Sequence, residues 1–97
     1  MKKIKLGLGA PFRNSVDISI IDVTTGDERK RGVMTAEYSE WDIKPLKDKG
    51  LDLDGVVCDY EDWIFRTLKR HLLDECEVVE GMDEFKAIVR ERVKDFF

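Results

Sequence analysis

The sequence has few of the residues that bind structural metals. Its 97 residues include two cysteines and one histidine, with no Cys-x-x-Cys pair. A structural zinc site needs four such ligands, usually in closely spaced pairs. The composition therefore gives no support for a zinc site, and we expect neither a bound metal ion nor a cofactor.

Long hydrophobic runs are also missing. Nothing approaches the roughly 18 consecutive apolar residues typical of a membrane span. The N-terminal MKKIKLGLGA has the basic start of a secretion signal, but Lys5 interrupts an apolar run that is already too short. We therefore interpret these residues as a strand, and we expect a soluble, cytoplasmic protein that makes no membrane contact.

The two cysteines, Cys58 and Cys76, flank a segment whose periodicity predicts a helix. A helix would hold them about 27 Å apart, whereas a disulfide needs α-carbons within about 7 Å of each other. An internal disulfide is excluded if the helix forms. Reduced thiols and a reducing compartment are the expected state.

The residues that are abundant are hydrophobic and charged ones, at 42% and 39% of the chain. This balance and the length are typical of one globular domain, residues 1–97. Residues 1–50 carry ten Lys/Arg and eight Asp/Glu, a net charge of +2, while residues 51–97 carry seven and thirteen, a net of -6. The acidic half repels a phosphate backbone, so nucleic-acid binding is disfavoured unless a local basic cluster provides it.

The first 41 residues alternate in the period of two that is typical of strands. Three alternating segments, KKIKLGLG, SVDISIIDV and VMTAEYSEW, are separated by turn-forming residues. Ile21 and Val23 break the parity of Ile20, so the second strand has either a bulge near Ile20 or two partly covered faces. Gly26 suits the tight turn before the third strand. We predict a three-stranded antiparallel meander in residues 1–41.

The second half of the chain has helical periodicity. Pro45 and neighbouring lysines indicate a linker and turn over residues 42–58. A helix with Asp59 as its N-cap is expected next, with Ile64 and Leu68 on one apolar face. After CEVVEG, where residues 77–80 leave an extra strand open, a second helix begins near Met82. The predicted fold is α+β, with two helices over residues 59–97 covering one face of the sheet.

The stretch DLDGVV, Asp52 to Val57, resembles the first motif of the haloacid dehalogenase phosphotransferases. The resemblance implies an enzyme in which Asp52 is the nucleophile and Asp54 the acid/base, with magnesium and phosphate bound between them. In that family the motif ends a buried parallel strand. Here KPLKDKG precedes it, and too few residues follow for the remaining motifs.

The same residues also fit part of an EF-hand calcium loop. In that frame Asp52, Asp54 and Gly55 take the third, fifth and sixth positions, and Glu61 takes the twelfth. Gly50 stands where the loop normally has its first aspartate. We therefore favour a turn whose acidic residues cap the following helix, and whether Asp52, Asp54 and Glu61 bind a cation stays open.

Large apolar residues off the predicted core are the main functional signal. Trp63 and Leu73 lie away from the apolar face of the first helix, and Trp41 lies at the frayed end of the third strand. Tryptophan is common at binding hot spots. We expect a small non-enzymatic protein-binding module of regulator, adaptor or inhibitor type, acting on a partner or as a homodimer through its C-terminal helices.

Two other functions remain open at this stage. One is a metal- or phosphate-binding enzyme that uses Asp52 and Asp54. The other is a nucleic-acid binder that uses Arg29, Lys30 and Arg31, which we expect to project from a hairpin tip.

Overall fold

The computed structural model describes residues 1–97 and has four strands and three helices. This confirms the α+β class, with one strand and one helix more than predicted. In chain order the elements are β1 (Lys2–Leu8), β2 (Ser15–Asp22), β3 (Arg29–Glu37), α1 (Glu40–Asp48), α2 (Leu53–Leu72), β4 (Cys76–Glu80) and α3 (Met82–Val93), which ends in a 3-10 turn, Lys94–Phe96.

The strands form a single sheet in the order β3-β2-β1-β4. The antiparallel meander of β1, β2 and β3 is confirmed. The β2–β3 register shifts between Ile20 and Ile21, because Ile20 lies opposite Gly32 while Ile21 lies opposite Lys30. Arg31 is therefore the extra residue of a bulge, at the place where the alternation of apolar residues in β2 changes parity.

β4 is the strand that the sequence left open at residues 77–80. It pairs in parallel with β1, so β1 becomes an interior strand. The pairing needs a long crossover, which the two preceding helices supply. Five residues with three acidic or sulfur-containing side chains carry too weak a strand pattern to predict this from sequence.

One hydrophobic core fills the space between the sheet and the helices. Alternate residues of β1, β2 and β3 point into it, and they meet buried residues of α2 and α3. The fully buried side chains include Ile4, Ile18, Ile64, Leu68 and Phe85. All the helices lie on one face of the sheet, which leaves its other face open to solvent, as is common for antiparallel sheets.

The predicted linker over residues 42–58 is wrong, because α1 and the start of α2 occupy most of it. Pro45 lies inside α1. Its ring leaves the carbonyl of Trp41 without the usual helical partner, which is one reason why the sequence indicates a break. Ser39 and Asp42 stabilise the helix start, since the Asp42 carboxylate accepts both the N–H and the hydroxyl of Ser39, at 2.9 and 2.6 Å. Burial of Ile43 anchors the helix to the core.

The predicted N-cap at Asp59 is also wrong. Asp52 is the N-cap of α2, and its carboxylate accepts the N–H of Gly55 at 2.8 Å. The helix therefore begins at Leu53 and includes Cys58, so Cys58 does not flank it as expected. Both cysteines are free thiols. No helix of the chain is both long enough and apolar enough to span a membrane.

Candidate functional site

β3 forms one edge of the sheet, because its only neighbour is β2. The N–H of Tyr38 donates to the carbonyl of Asn14 at 2.8 Å, in the same register as the β2–β3 ladder. In an antiparallel ladder, such hydrogen-bonded pairs alternate with pairs whose N–H and C=O groups point away from each other. The backbone groups of Val33, Thr35 and Glu37 are therefore directed outward, away from β2.

One of these outward groups has a partner within the chain. The hydroxyl of Tyr60, on α2, donates to the carbonyl of Glu37. The outward groups of Val33 and Thr35 face solvent, and both residues are exposed. A strand edge with free donors and acceptors can accept another strand by main-chain hydrogen bonding.

A pocket of about 310 Å³ opens beside this edge. We call it the edge pocket; its lining comes from β3, α1 and α2. The residues are Thr35, Ala36, Glu37, Asp42, Leu46, Asp59, Tyr60, Trp63 and Arg66. A strand added to β3 would lie against this pocket, so its side chains could enter it.

The edge pocket has a surplus of negative charge. Glu37, Asp42 and Asp59 line it, against a single cation, Arg66. No ion pair within the chain includes Glu37, Asp59 or Arg66. Burial raises the pKa of the Tyr60 phenol, and the charges of Asp42 and Asp59 raise this pKa further. Charges that oppose a tyrosinate also favour a cation at the same place.

Trp63 gives the edge pocket an aromatic wall. Its side chain is half-buried and packs against the hydrophobic core while it also lines the pocket. An aromatic face beside carboxylates is a favourable environment for an ammonium or guanidinium group, which the ring attracts through its quadrupole. The chemistry of the pocket therefore matches a Lys or Arg side chain.

The other two predicted apolar residues lie elsewhere. Trp41 is in the first turn of α1 and is 85% exposed. It is therefore not at the end of β3, as predicted. Leu73 is 88% exposed at the C-cap of α2, about 15 Å along the helix axis from Trp63. The structure does not bring Trp41, Trp63 and Leu73 into one surface.

The basic cluster is placed differently from the prediction. Arg29, Lys30 and Arg31 are the first residues of β3 and are exposed, whereas the hairpin turn precedes them. They therefore extend along the edge strand and do not project from a tip. β3 therefore has basic residues at its start and borders the acidic edge pocket at its end.

The acidic stretch that resembles catalytic or calcium motifs has structural partners. Asp52 caps α2, Asp54 pairs with Arg90 at 2.6 Å, and Glu61 pairs with Lys86 at 3.3 Å. These pairs join α2 to α3. The stretch follows a helix and a turn, so the buried strand that the phosphotransferase resemblance implies does not precede it. No group of three His, Cys, Asp or Glu side chains is arranged to hold a metal ion.

Sequence reasoning singled out Trp63 but missed the other residues of the edge pocket. Ser39 and Asp42 have the spacing of a capping box, which would have indicated a helix start next to β3. Tyr60 lies on the same apolar face of the helical pattern as Ile64, and the sequence indicates no partner for its hydroxyl. Only the packing of α2 over β3 reveals that partner.

Comparisons of the chain with protein-family models, with curated proteins and with solved structures find no match.

Proposed function

We propose that this chain is a non-enzymatic protein-binding module of regulator, adaptor or inhibitor type. It takes up an extended segment of a partner protein along β3, and a Lys or Arg of that segment enters the edge pocket. The observation that carries this proposal is the position of an acidic, aromatic pocket directly beside a free strand edge.

The two parts of the site have different tasks. The outward N–H and C=O groups of Val33 and Thr35 supply main-chain hydrogen bonds, which bind any extended segment. Asp59 and Trp63 supply selectivity, because they favour a cation and disfavour an acidic side chain. Each part is modest by itself: a hydrogen bond contributes about 0.5 to 1.5 kcal/mol net, and a partly exposed cation–π contact about 0.5 to 1 kcal/mol.

The proposal keeps one part of the expected helix surface. Trp63 belongs to α2, so a C-terminal helix contributes directly to the site. Trp41 and Leu73 are outside it, and the proposal gives them no part in binding. The site also needs β3, which the sequence did not indicate as a binding element.

A peptide titration tests the proposal. In a Trp41→Phe background, Trp63 is the only tryptophan and its fluorescence reports on the edge pocket. The probes are capped eight-residue peptides of alternating Thr and Val with one central Lys, Ala or Glu. We expect the Lys peptide to bind at least about five times more tightly than the Ala peptide, and the Glu peptide most weakly.

Two aspartates of α2 provide a matched pair of variants. Asp59→Asn removes a charge from the edge pocket, whereas Asp62→Asn removes one from an exposed position outside it. The first should abolish the preference for Lys over Ala, and the second should keep it. In protein dilute enough to be monomeric, equal binding of all three peptides, or no binding at millimolar peptide concentration, would contradict the proposal.

A further inference from the structure

The charges along β3 are arranged so that the strand complements itself in the antiparallel direction. Arg29, Lys30 and Arg31 stand at its start, and Glu37 stands at its end beside the acidic edge pocket. A second β3 laid antiparallel along the same edge would place its basic start next to that acidic end. Opposite charges that face each other across strands are stabilising, and like charges are destabilising.

The regular part of β3 fixes a register for such a pair. The outward backbone groups belong to Val33 and Thr35, so these two residues would exchange hydrogen bonds with Thr35 and Val33 of the second copy. A twofold axis then passes between the two Met34 residues. Arg31, the extra residue of the bulge, lies just before this regular part, so it comes close to Glu37 of the other copy without pairing with it in strict register. The interface is isologous, as expected for a closed homodimer.

Arg29 would reach the helix side of this interface. It lies opposite Asp22 in β2, and Asp22 follows Ile21, which is on the open face of the sheet. Successive residues of a strand alternate between faces, so Asp22 and Arg29 lie on the side of the helices. In the paired strands, Arg29 therefore extends past Glu37 of the second copy on the face where Asp42 and Asp59 line the edge pocket.

We propose that the occupant of the β3 edge is a second copy of this chain, with Arg29 as the cation in the edge pocket. Each copy completes the site of the other, so the homodimer has one continuous eight-stranded sheet across the axis, with β4 at each outer edge. This inference rests on the proposed function, because both use the same edge. Any other partner segment would have to displace the second copy, so self-pairing would limit access to the site.

Sedimentation equilibrium of charge-reversal variants tests the pairing. We expect a monomer–dimer equilibrium whose dissociation constant rises about tenfold in Arg31→Glu and in Glu37→Arg, because two like-charged pairs replace two opposite ones in each. The double variant Arg31→Glu/Glu37→Arg should recover wild-type dimerisation. Val33→Pro should raise the constant at least as much through the loss of an outward N–H, whereas Val33→Ala should have little effect.

The outcomes separate this inference from the proposed function. A dimer that tolerates Val33→Pro, or two single variants whose effects do not cancel in the double variant, would show that the copies pair through another surface. A protein that stays monomeric at millimolar concentration yet prefers the Lys peptide would overturn self-pairing and leave the proposed function standing. A monomer with no peptide preference would contradict both.

Discussion

The two edges of the sheet differ in length, partner and charge. β4 has five residues, pairs in parallel with β1, and has an irregular register next to Lys5. β3 has nine residues and pairs antiparallel with β2 over its whole length. Exposed edges invite association with other strands, and proteins limit this with short edges, charges and bulges.

The second half of β3, from Val33 to Glu37, lacks this protection. β4 is short, its residues Glu77 and Glu80 are exposed, and Lys5 pairs with Glu80 at 3.8 Å. In β3 the bulge and the basic residues lie only in the first third of the strand. From Val33 to Glu37 the strand is regular, the backbone groups of Val33 and Thr35 point outward, and the edge pocket adjoins it. This difference between the two edges is the basis of the proposal that the β3 edge accepts a strand.

The largest effect is expected next to the β4 edge, from Gly81→Ala. Gly81 joins β4 to α3 with φ of 96°, and a Cβ atom there would lie 2.4 Å from the carbonyl oxygen of Leu6. Both the strained backbone and the clash with an interior strand oppose a side chain. We expect a loss of at least about 3 kcal/mol in the free energy of unfolding, measured by denaturant melts.

Gly26→Ala is the matched control. Gly26 also has a positive φ, 88°, but a Cβ atom there meets nothing within 4 Å. Only backbone strain remains, so the loss should be about 1 kcal/mol. Equal losses at Gly26 and Gly81 would mean that Gly81 does not approach Leu6 as closely as described.

Beside the β3 edge, Trp63→Ala should lower the free energy of unfolding by about 2 kcal/mol, less than the loss of a fully buried tryptophan would. Part of its side chain packs on the core and part lines the edge pocket. Trp41→Ala, at a residue that is 85% exposed, should cost less than about 0.5 kcal/mol. Denaturant melts of the two variants in parallel check the difference, and a larger loss at Trp41 would reverse the assignment of the two tryptophans.

Tyr60→Phe should cost about 1 kcal/mol at neutral pH, because it removes the hydrogen bond to the Glu37 carbonyl at a site that water can reach. The effect should change at high pH. The pKa of Tyr60 is raised in the folded protein, so the native state holds this proton more tightly than the unfolded chain. Its stabilising contribution is complete below about pH 10, the pKa of an unfolded tyrosine, and is lost as the pH rises above that value.

Denaturant melts at about pH 8 and pH 11 check this sign. The stability of the wild type should fall more steeply than that of Tyr60→Phe, so the difference between them should shrink or reverse. Tyr38, whose pKa burial also raises, is present in both proteins and cancels in the comparison. Parallel pH profiles would show that the Tyr60 phenol is not buried between α2 and β3.

Apart from the Trp41→Ala control, the smallest effect is expected where the chain leaves α2 towards β4. Leu73 has a left-handed backbone with φ of 53°, and its side chain is 88% exposed. Leu73→Gly should therefore raise the free energy of unfolding, measured by denaturant melts, by about 0.5 to 1 kcal/mol. Glycine adopts this conformation without strain, and no packing is lost. A loss of stability would mean that the Leu73 side chain has a contact in solution, and Leu73 would return as a candidate interface residue.

The sequence predicts well those parts of the fold that depend on local periodicity. The alternation around Ile18 and Ile20 predicts β2, and Ile64 and Leu68 predict the buried face of α2. The break in parity at Ile21 left a bulge in the second strand open, whereas the extra residue, Arg31, lies in β3. Of the elements that depend on distant partners, the sequence leaves β4 open and misses α1. β4 exists because β1 offers a free edge to a short acidic segment, and α1 exists because Ile43 finds the core although Pro45 lies in the same helix.

In the candidate site, too, the sequence predicts what depends on a local pattern and does not predict what depends on contacts between distant residues. The size and off-face position of Trp63 mark it in the sequence, since a tryptophan away from the main apolar stripe needs a second contact. Its neighbours in the edge pocket come from three elements up to about 30 residues apart, and only the packing of α2 on β3 brings them together. The direction of the backbone groups of Thr35 depends on the strand register, which no local pattern specifies.

Amide hydrogen exchange of β3, followed by NMR as a function of protein concentration, tests the central claim most directly. In dilute solution the amides of Val33 and Thr35 should exchange rapidly, while those of Met34 and Ala36, which bond to β2, should be protected. As the concentration rises, Val33 and Thr35 should become protected together with formation of the dimer. Rapid exchange of Val33 and Thr35 at concentrations where the protein is dimeric would contradict the claim that the β3 edge accepts a second strand.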